Sequence, residues 1–225
     1  MSRVDVYIIV EGQTEQTFVR DILAPMLGEK GVFLHAAVLG KPGHKGGGVR
    51  FGRAKNDIGK FLKQRSDTYV STMFDYYGIA ADWPGRPDIR GGDTAVQKAD
   101  KMEKEMLIEI EKDSPHTNVK KRFIPYIAMH EFEALLFSDI DILAKKIDVK
   151  SAAVANILKE CGEPEEINDN SQTAPSKRLQ ALCSKSYRKI SMGKTTSEAI
   201  GIPTMRKKCP HFNEWLNKLE SLAKN

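Results

Sequence analysis

Cysteine is scarce in this chain: Cys161, Cys183 and Cys209 are the only three among 225 residues, and they lie far apart. Without the close Cys or His pairs of a structural zinc site, ordinary reduced thiols are expected and zinc is not. No apolar run approaches the ~20 residues that cross a bilayer, and the sequence opens on a strand-like run rather than a signal-like segment. A cytoplasmic protein with no membrane partner is expected. Internal repeats and low-complexity tracts are missing, which sets aside solenoid architectures. Also missing is the Gly-x-x-x-x-Gly-Lys-Ser/Thr order of a Walker loop: Gly43-His44-Lys45-Gly46 has glycines and a lysine in another arrangement. Nucleotide hydrolysis by this chain itself is therefore unsupported.

What is present fits one good core, or one core with a small helical appendage. Apolar residues make up 40% and charged residues 29%, a balance that folds rather than stays disordered. Thirty-five Lys and Arg exceed thirty Asp and Glu for a net charge of +5, and the excess is clustered. Lys41, His44, Lys45, Arg50, Arg53 and Lys55 surround Gly43 and Gly46-Gly47-Gly48; Lys120-Lys121-Arg122 precedes an apolar run; Lys177-Arg178, Lys185, Arg188, Lys189 and Lys194 form a third group. Each group alone reads as solvated surface. Three together point to a phosphate-bearing partner.

The first half alternates strand and helix signals, the pattern of βαβ crossovers and a mainly parallel sheet. Strands are predicted at residues 4–10, 32–39, 69–75 and 123–129, the last irregular at Pro125. Helices are predicted from Thr14, as N-cap, to Gly28 with a late kink at Pro25, around Ile58, Phe61 and Leu62, and from Thr94 to Lys112, where Met102 and Met106 fall on the core face. Tyr76 to Pro87 reads as a long loop, rich in Gly, Pro and aromatics. After about residue 138 the strand signal stops, and helices are expected near 139–146, 151–161, 175–187, 194–200 and 211–224. The predicted division is an α/β domain at 1–137 and a helical region at 138–225.

Glu11, Asp75 and the pair Glu131 and Glu133 each follow a predicted strand, and parallel strands finish at one edge of their sheet. Carboxylates brought together raise each other's pKa unless a cation offsets the repulsion, and Mg2+ or Mn2+ prefers hard oxygen ligands. A solvated turn is the plain alternative for Glu11, and helix capping for Glu131 and Glu133. His130 offers either an acid or base near neutral pH or a buried contact between loops. Tyr76, Tyr77 and Trp83 suit either base stacking or packing against the sheet. Lys177, Arg178 and the basic glycine loop suit a phosphate backbone.

Val10-Glu11-Gly12-Gln13-Thr14-Glu15, with Phe18 following, resembles the opening motif of Toprim domains, found in topoisomerases, primases and OLD-family nucleases. With Asp75-Tyr76-Tyr77-Gly78, Asp82-Trp83-Pro84-Gly85, His130-Glu131-Phe132-Glu133-Ala134-Leu135-Leu136-Phe137 and Cys209-Pro210-His211-Phe212, nearly the whole chain is similar to a bacterial Toprim-like family classed as a domain of unknown function, number 4276. The resemblance implies a Toprim-like Rossmannoid fold and a Mg2+-dependent nuclease whose metal ligands include Glu11 and Asp75. Toprim enzymes carry two aspartates separated by one residue after that strand, and here Tyr77 stands at the second position. Asp82, Glu131 or Glu133 would replace it, and Glu133 is preferred. The resemblance also implies an ABC/AAA-type ATPase partner and a role in defence against phage. The alternative is a noncatalytic module that binds nucleic acid or the ATPase.

Overall fold

A computed structural model of the chain describes residues 3–40, 49–115, 117–167, 170, 172–183 and 187–224. β1 (Val4–Val10) lies inside the sheet because its last three residues, Ile8, Ile9 and Val10, are buried on both faces. β2 (Val32–Val38) and β3 (Tyr69–Asp75) flank it, both parallel, and with β4 (Phe123–Ile124) the order is β2-β1-β3-β4. The fold is α/β and Rossmann-like, a mainly parallel sheet flanked by helices with a helical C-terminal region, as the alternation of signals predicts.

Between β1 and β2 runs α1 (Gln13–Phe18), a π-helical turn at Val19–Leu23, and α2 (Ala24–Gly28) with Pro25 in its first turn. Pro25 supplies no N–H, so it is tolerated where the helix restarts. Gly12, not Thr14, is the N-cap of α1: the Glu15 carboxylate reaches back to accept the Gly12 N–H at 2.9 Å. α3 (Phe51–Gln64) connects β2 to β3, and α4 (Ala95–Asp113) descends from the β3 end. At the start of α4 Thr94 and Gln97 form the reciprocal capping pair that the Thr94 start implies.

The expected strand at 123–129 is two short pieces, β4 (Phe123–Ile124) and β5 (Ile127–Ala128), preceded by the single turn α5 (Val119–Arg122). Pro125 cannot donate to the ladder, and the strand is interrupted there. The Thr72 hydroxyl takes over, donating to the Tyr126 carbonyl at 2.9 Å and accepting its N–H at 3.0 Å. Arg122 belongs to this stitching rather than to a surface charge group. It is buried and donates to the carbonyls of Thr68, Leu62, Thr117 and Arg65, and burial lowers its pKa.

After Ser138 the chain forms α6 (Ile140–Ile147), α7 (Ser151–Cys161), α8 (Pro175–Leu182), α9 (Lys189–Ile200), α10 (Ile202–Lys208) and α11 (Pro210–Ser221). α9 begins five residues earlier than expected, and α10 has no counterpart in the sequence reading. Gly201, at φ 77°, ends α9, and Pro203 in the first turn of α10 starts the next helix at once. The core has two parts. One joins Val6, Ile8 and Val10 to Phe18 and Leu23 and to Leu143, Phe212, Trp215 and Leu219 of the C-terminal helices. The other joins Ile9, Val70 and Phe74 to Ile58 and Leu62 of α3 and to Met102 and Met106 of α4.

Candidate metal centre

Strand register delivers the acids. Val10 pairs with Met73, so Glu11, one residue beyond β1, lies beside the end of β3, where Asp75 is the last residue. Asp75 pairs in turn with Ala128 of β5, and the chain then passes Met129 and His130 to Glu131 and Glu133. The Phe132 N–H donates to Asp75 Oδ1 at 2.9 Å, which ties the segment carrying both glutamates to the β3 end. One carboxylate oxygen from each of Asp75, Glu131 and Glu133 lies within 4.8 Å of the other two. Glu11 adjoins them: its charge and those of Glu15, Glu131 and Glu133 all act on Asp75, and the Asp75 backbone N–H acts on Glu11.

Burial is the largest cause of the shifts here. Desolvation raises the pKa of Glu11, of Glu15, of Asp75 and of Glu133, and neighbouring carboxylates add to it in each case. Asp75 is pushed well above the usual carboxylate range, and Glu133 to about 7. Lys189, at the start of α9, is the cation that opposes them, with Nζ 3.2 Å from Glu133 Oε1. Two unit charges at 4.8 Å repel by about 3.5 kcal/mol at an effective dielectric of about 20, so one ammonium cannot offset the three carboxylates gathered at that distance. Glu133 is 1% exposed, its Oε2 makes no hydrogen bond among the described residues, and its Oε1 faces Lys189 Nζ. Glu11 Oε2 is likewise buried without a hydrogen-bond partner among them.

Glu131 sits in this cluster with both oxygens engaged. It accepts the Ser176 N–H at 2.7 Å and the Ser176 hydroxyl at 3.0 Å, and so caps the start of α8 rather than the turn that follows it in sequence. Of the other candidates, Asp82 is exposed and outside the cluster. His130 is buried, edge-on to Tyr76 with ring centroids 5.2 Å apart, and its Nε2 is 3.5 Å from Lys98 Nζ. Its carbonyl accepts the Tyr77 N–H at 3.0 Å, which joins the two loops beside the acids. Tyr77 is exposed. Trp83, in contrast, is fully buried between Phe51 and Phe74, so its faces are spent on the core and not on a base.

The basic candidates divide as well. Arg50 and Lys177 are exposed. Arg53 donates to the Leu39 carbonyl at 3.2 Å and covers Gly40. Arg178 is engaged with the Thr173 carbonyl, Glu160 and Cys161 Sγ, which leaves it a structural tie. Lys41, His44 and Lys45 lie outside the described residues.

Four residues of the centre escape the sequence reading as site residues: Glu15, Lys189, Ser176 and Gly78. Glu15 stands in the opening motif but reads as a helix-start acid. Lys189 is merged into a basic group. Ser176 carries no signal, because only the packing of α8 brings it to Glu131. Gly78 is the most legible: a Cβ there would lie 2.7 Å from Glu11 Oε2 and 2.9 Å from Oε1, so the carboxylate occupies the space a side chain would need.

A second group, Asp100, Glu103 and His211, also comes together. His211 Nε2 is 2.9 Å from Glu103 Oε1, and the same oxygen accepts the Ile127 N–H at 2.9 Å. This buried pair clamps α11 to α4 and to β5. No helix among the described residues is long and apolar enough to cross a membrane. Neither the curated proteins nor the solved structures include a match to this sequence. A family described as a domain of unknown function, DUF4276, matches residues 10–220, which include all five clustered acids, and the chain belongs to that family.

Proposed function

We propose that the protein is a metal-dependent phosphodiesterase of Toprim type acting on nucleic acid, with Glu11, Asp75 and Glu133 holding Mg2+ or Mn2+. The observation that carries this reading is Glu133, a carboxylate with a hydrogen-bond-free oxygen buried beside other acids. Burying such an oxygen without a hydrogen bond is costly, and a hard divalent cation satisfies both the charge and the lone pairs. The bound ion would supply charge stabilisation to a phosphoryl group and polarise a water. The chain's own groups do the rest. Lys189, half-exposed beside Glu133, donates to a phosphate oxygen. The Glu131–Ser176 contact fixes the loop from which Glu133 projects. His130 holds Tyr76 and Tyr77 against the acids, and exposed Tyr77 is left to stack on a base. The resemblance stated above adds an ABC/AAA-type ATPase partner, a cytoplasmic setting and a role in phage defence to the same proposal.

A second reading is favoured by one residue. Tyr77 stands at the second aspartate position of the Toprim pattern, and a centre short of that ligand suits a noncatalytic module that binds nucleic acid or the ATPase. Calorimetric titration with MgCl2 or MnCl2, run beside cleavage assays on single- and double-stranded DNA and RNA, separates the two. The enzyme reading expects cation binding that Glu11→Gln and Glu133→Gln each abolish, together with cleavage. Binding without cleavage, with or without the partner ATPase, leaves the module; absence of cation binding removes the metal centre itself.

A further inference from the structure

Away from the acids, a cleft of about 470 Å³ opens along the β4 edge of the sheet, between α4 and the end of α11. Four lysines from three elements converge on it: Lys104 of α4, Lys120 and Lys121 of α5, and Lys218 of α11. Like charges gathered this way repel unless an anion joins them. Lys120 and Lys218 pair with surface acids, Glu111 at 3.2 Å and Glu214 at 2.8 Å, pairs of small value that an anion can displace. Lys104 and Lys121 have no ion pair among the described residues. Between the lysines the lining is apolar, with Leu107, Ile124, Pro125 and Leu222 half-buried. Asp100, one turn before Lys104 on α4, also lines the cleft and is exposed, whereas Glu103 is committed to His211 and Ile127.

We propose that this cleft binds a ribonucleotide, either free or as a unit of an RNA strand. Lysines take the phosphate, the apolar lining takes the face of the base, and Asp100 accepts from the ribose hydroxyls, the use to which a carboxylate is put in dinucleotide sites. A peptide added as a further strand fits less well, since β4 is two residues long and Pro125 after it has no N–H to donate. The site is separate from the acidic centre and does not depend on its reading.

Calorimetry on the full chain in EDTA, which strips any metal from the acidic centre, tests it with AMP, GMP, CMP, UMP, their 2′-deoxy forms, inorganic phosphate and a ten-nucleotide RNA. Binding of at least one ribonucleotide probe is expected at about 1 mM or tighter, weakened about tenfold or more by the double variant Lys104→Glu/Lys121→Glu. Asp100→Asn is expected to erase the preference for ribose over deoxyribose. All three side chains are exposed, and circular dichroism of each variant, with Lys104→Ala/Lys121→Ala as a milder second pair, verifies folding. Binding of the mononucleotides identifies a free ligand. Binding of the RNA alone, with the same dependence on lysines and Asp100, identifies a strand. Phosphate binding as tightly as the nucleotides, binding indifferent to the lysine variants, or no binding by any probe up to about 5 mM would overturn the proposal.

Discussion

Glu133 carries a conflict between stability and function. In the cation-free protein its burial beside Asp75 and Glu131 raises its pKa to about 7, so ionising it opposes folding. Glu133→Gln keeps the shape and removes the charge, and is expected to raise the metal-free Tm by about 2–4 °C while abolishing the Tm gain on adding MgCl2. Differential scanning calorimetry with and without the cation measures both; a variant that melts lower in EDTA would contradict the repulsion argued here. Gly78 carries the opposite kind of constraint. Its φ is not in the left-handed region, so alanine strains no backbone, but the new Cβ would push the Glu11 carboxylate away. Gly78→Ala is expected to cost less than about 1 kcal/mol of stability. It is also expected to weaken Mg2+ about tenfold, a loss of ~1.4 kcal/mol. Titration of a folded variant with unchanged affinity would show that Glu11 is not a ligand.

At the scale of the element, α11 is held at its start by polar contacts in an apolar setting. Glu165 accepts the N–H groups of His211 and Phe212 at 3.0 and 2.9 Å, and the His211 ring pairs with Glu103. Burial acts on His211 most strongly and lowers its pKa, but the hydrogen bond and charge of Glu103 outweigh it, and the net shift is upward from 6.5. A histidine whose folded pKa exceeds its unfolded value contributes stability that is fully present below about pH 6.5 and is lost as pH rises through the folded pKa. The stability difference between wild type and His211→Gln is therefore expected to be largest at low pH and to shrink toward alkaline pH. Urea denaturation at a series of pH values checks this, and a difference that grows with pH would reverse the assignment. The same clamp explains the reach of a short element: Glu103 Oε1 also takes the Ile127 N–H of β5, next to the Asp75 pairing.

For the whole molecule, the notable feature is that the helices after Ser138 complete the core of the sheet. Trp215 stacks on Tyr126 with centroids 4.2 Å apart and donates to Ser71 Oγ of β3 at 2.9 Å, and Phe212, Leu216 and Leu219 are buried with it. Removing one such aromatic typically costs about 3–5 kcal/mol, a large share of the ~5–15 kcal/mol of a whole domain. A fragment ending at residue 137 is expected to be unfolded or aggregated, because one face of the sheet would stand in water. Cooperative thermal unfolding of that fragment, followed by circular dichroism, would prove it independent. The helical region also gives the acidic centre Lys189 and Ser176, so separating the parts would disarm the site as well as the fold.

The sequence alone determined the alternation of strands and helices in the first half, the parallel sheet, and the positions of Glu11 and Asp75 at strand ends. These follow from local periodicity and from two apolar runs, 4–10 and 69–75, that lead directly to an acid. It also marked Met102 and Met106 as core, since amphipathic spacing is a property of one helix. Only the tertiary structure decided that Trp83 is buried, that Arg122 and Arg178 are internal ties, that Glu131 caps α8, and that Lys189 faces Glu133. Each of these depends on a partner far away in the chain, and local sequence carries no record of which distant carbonyl or carboxylate will meet a given side chain.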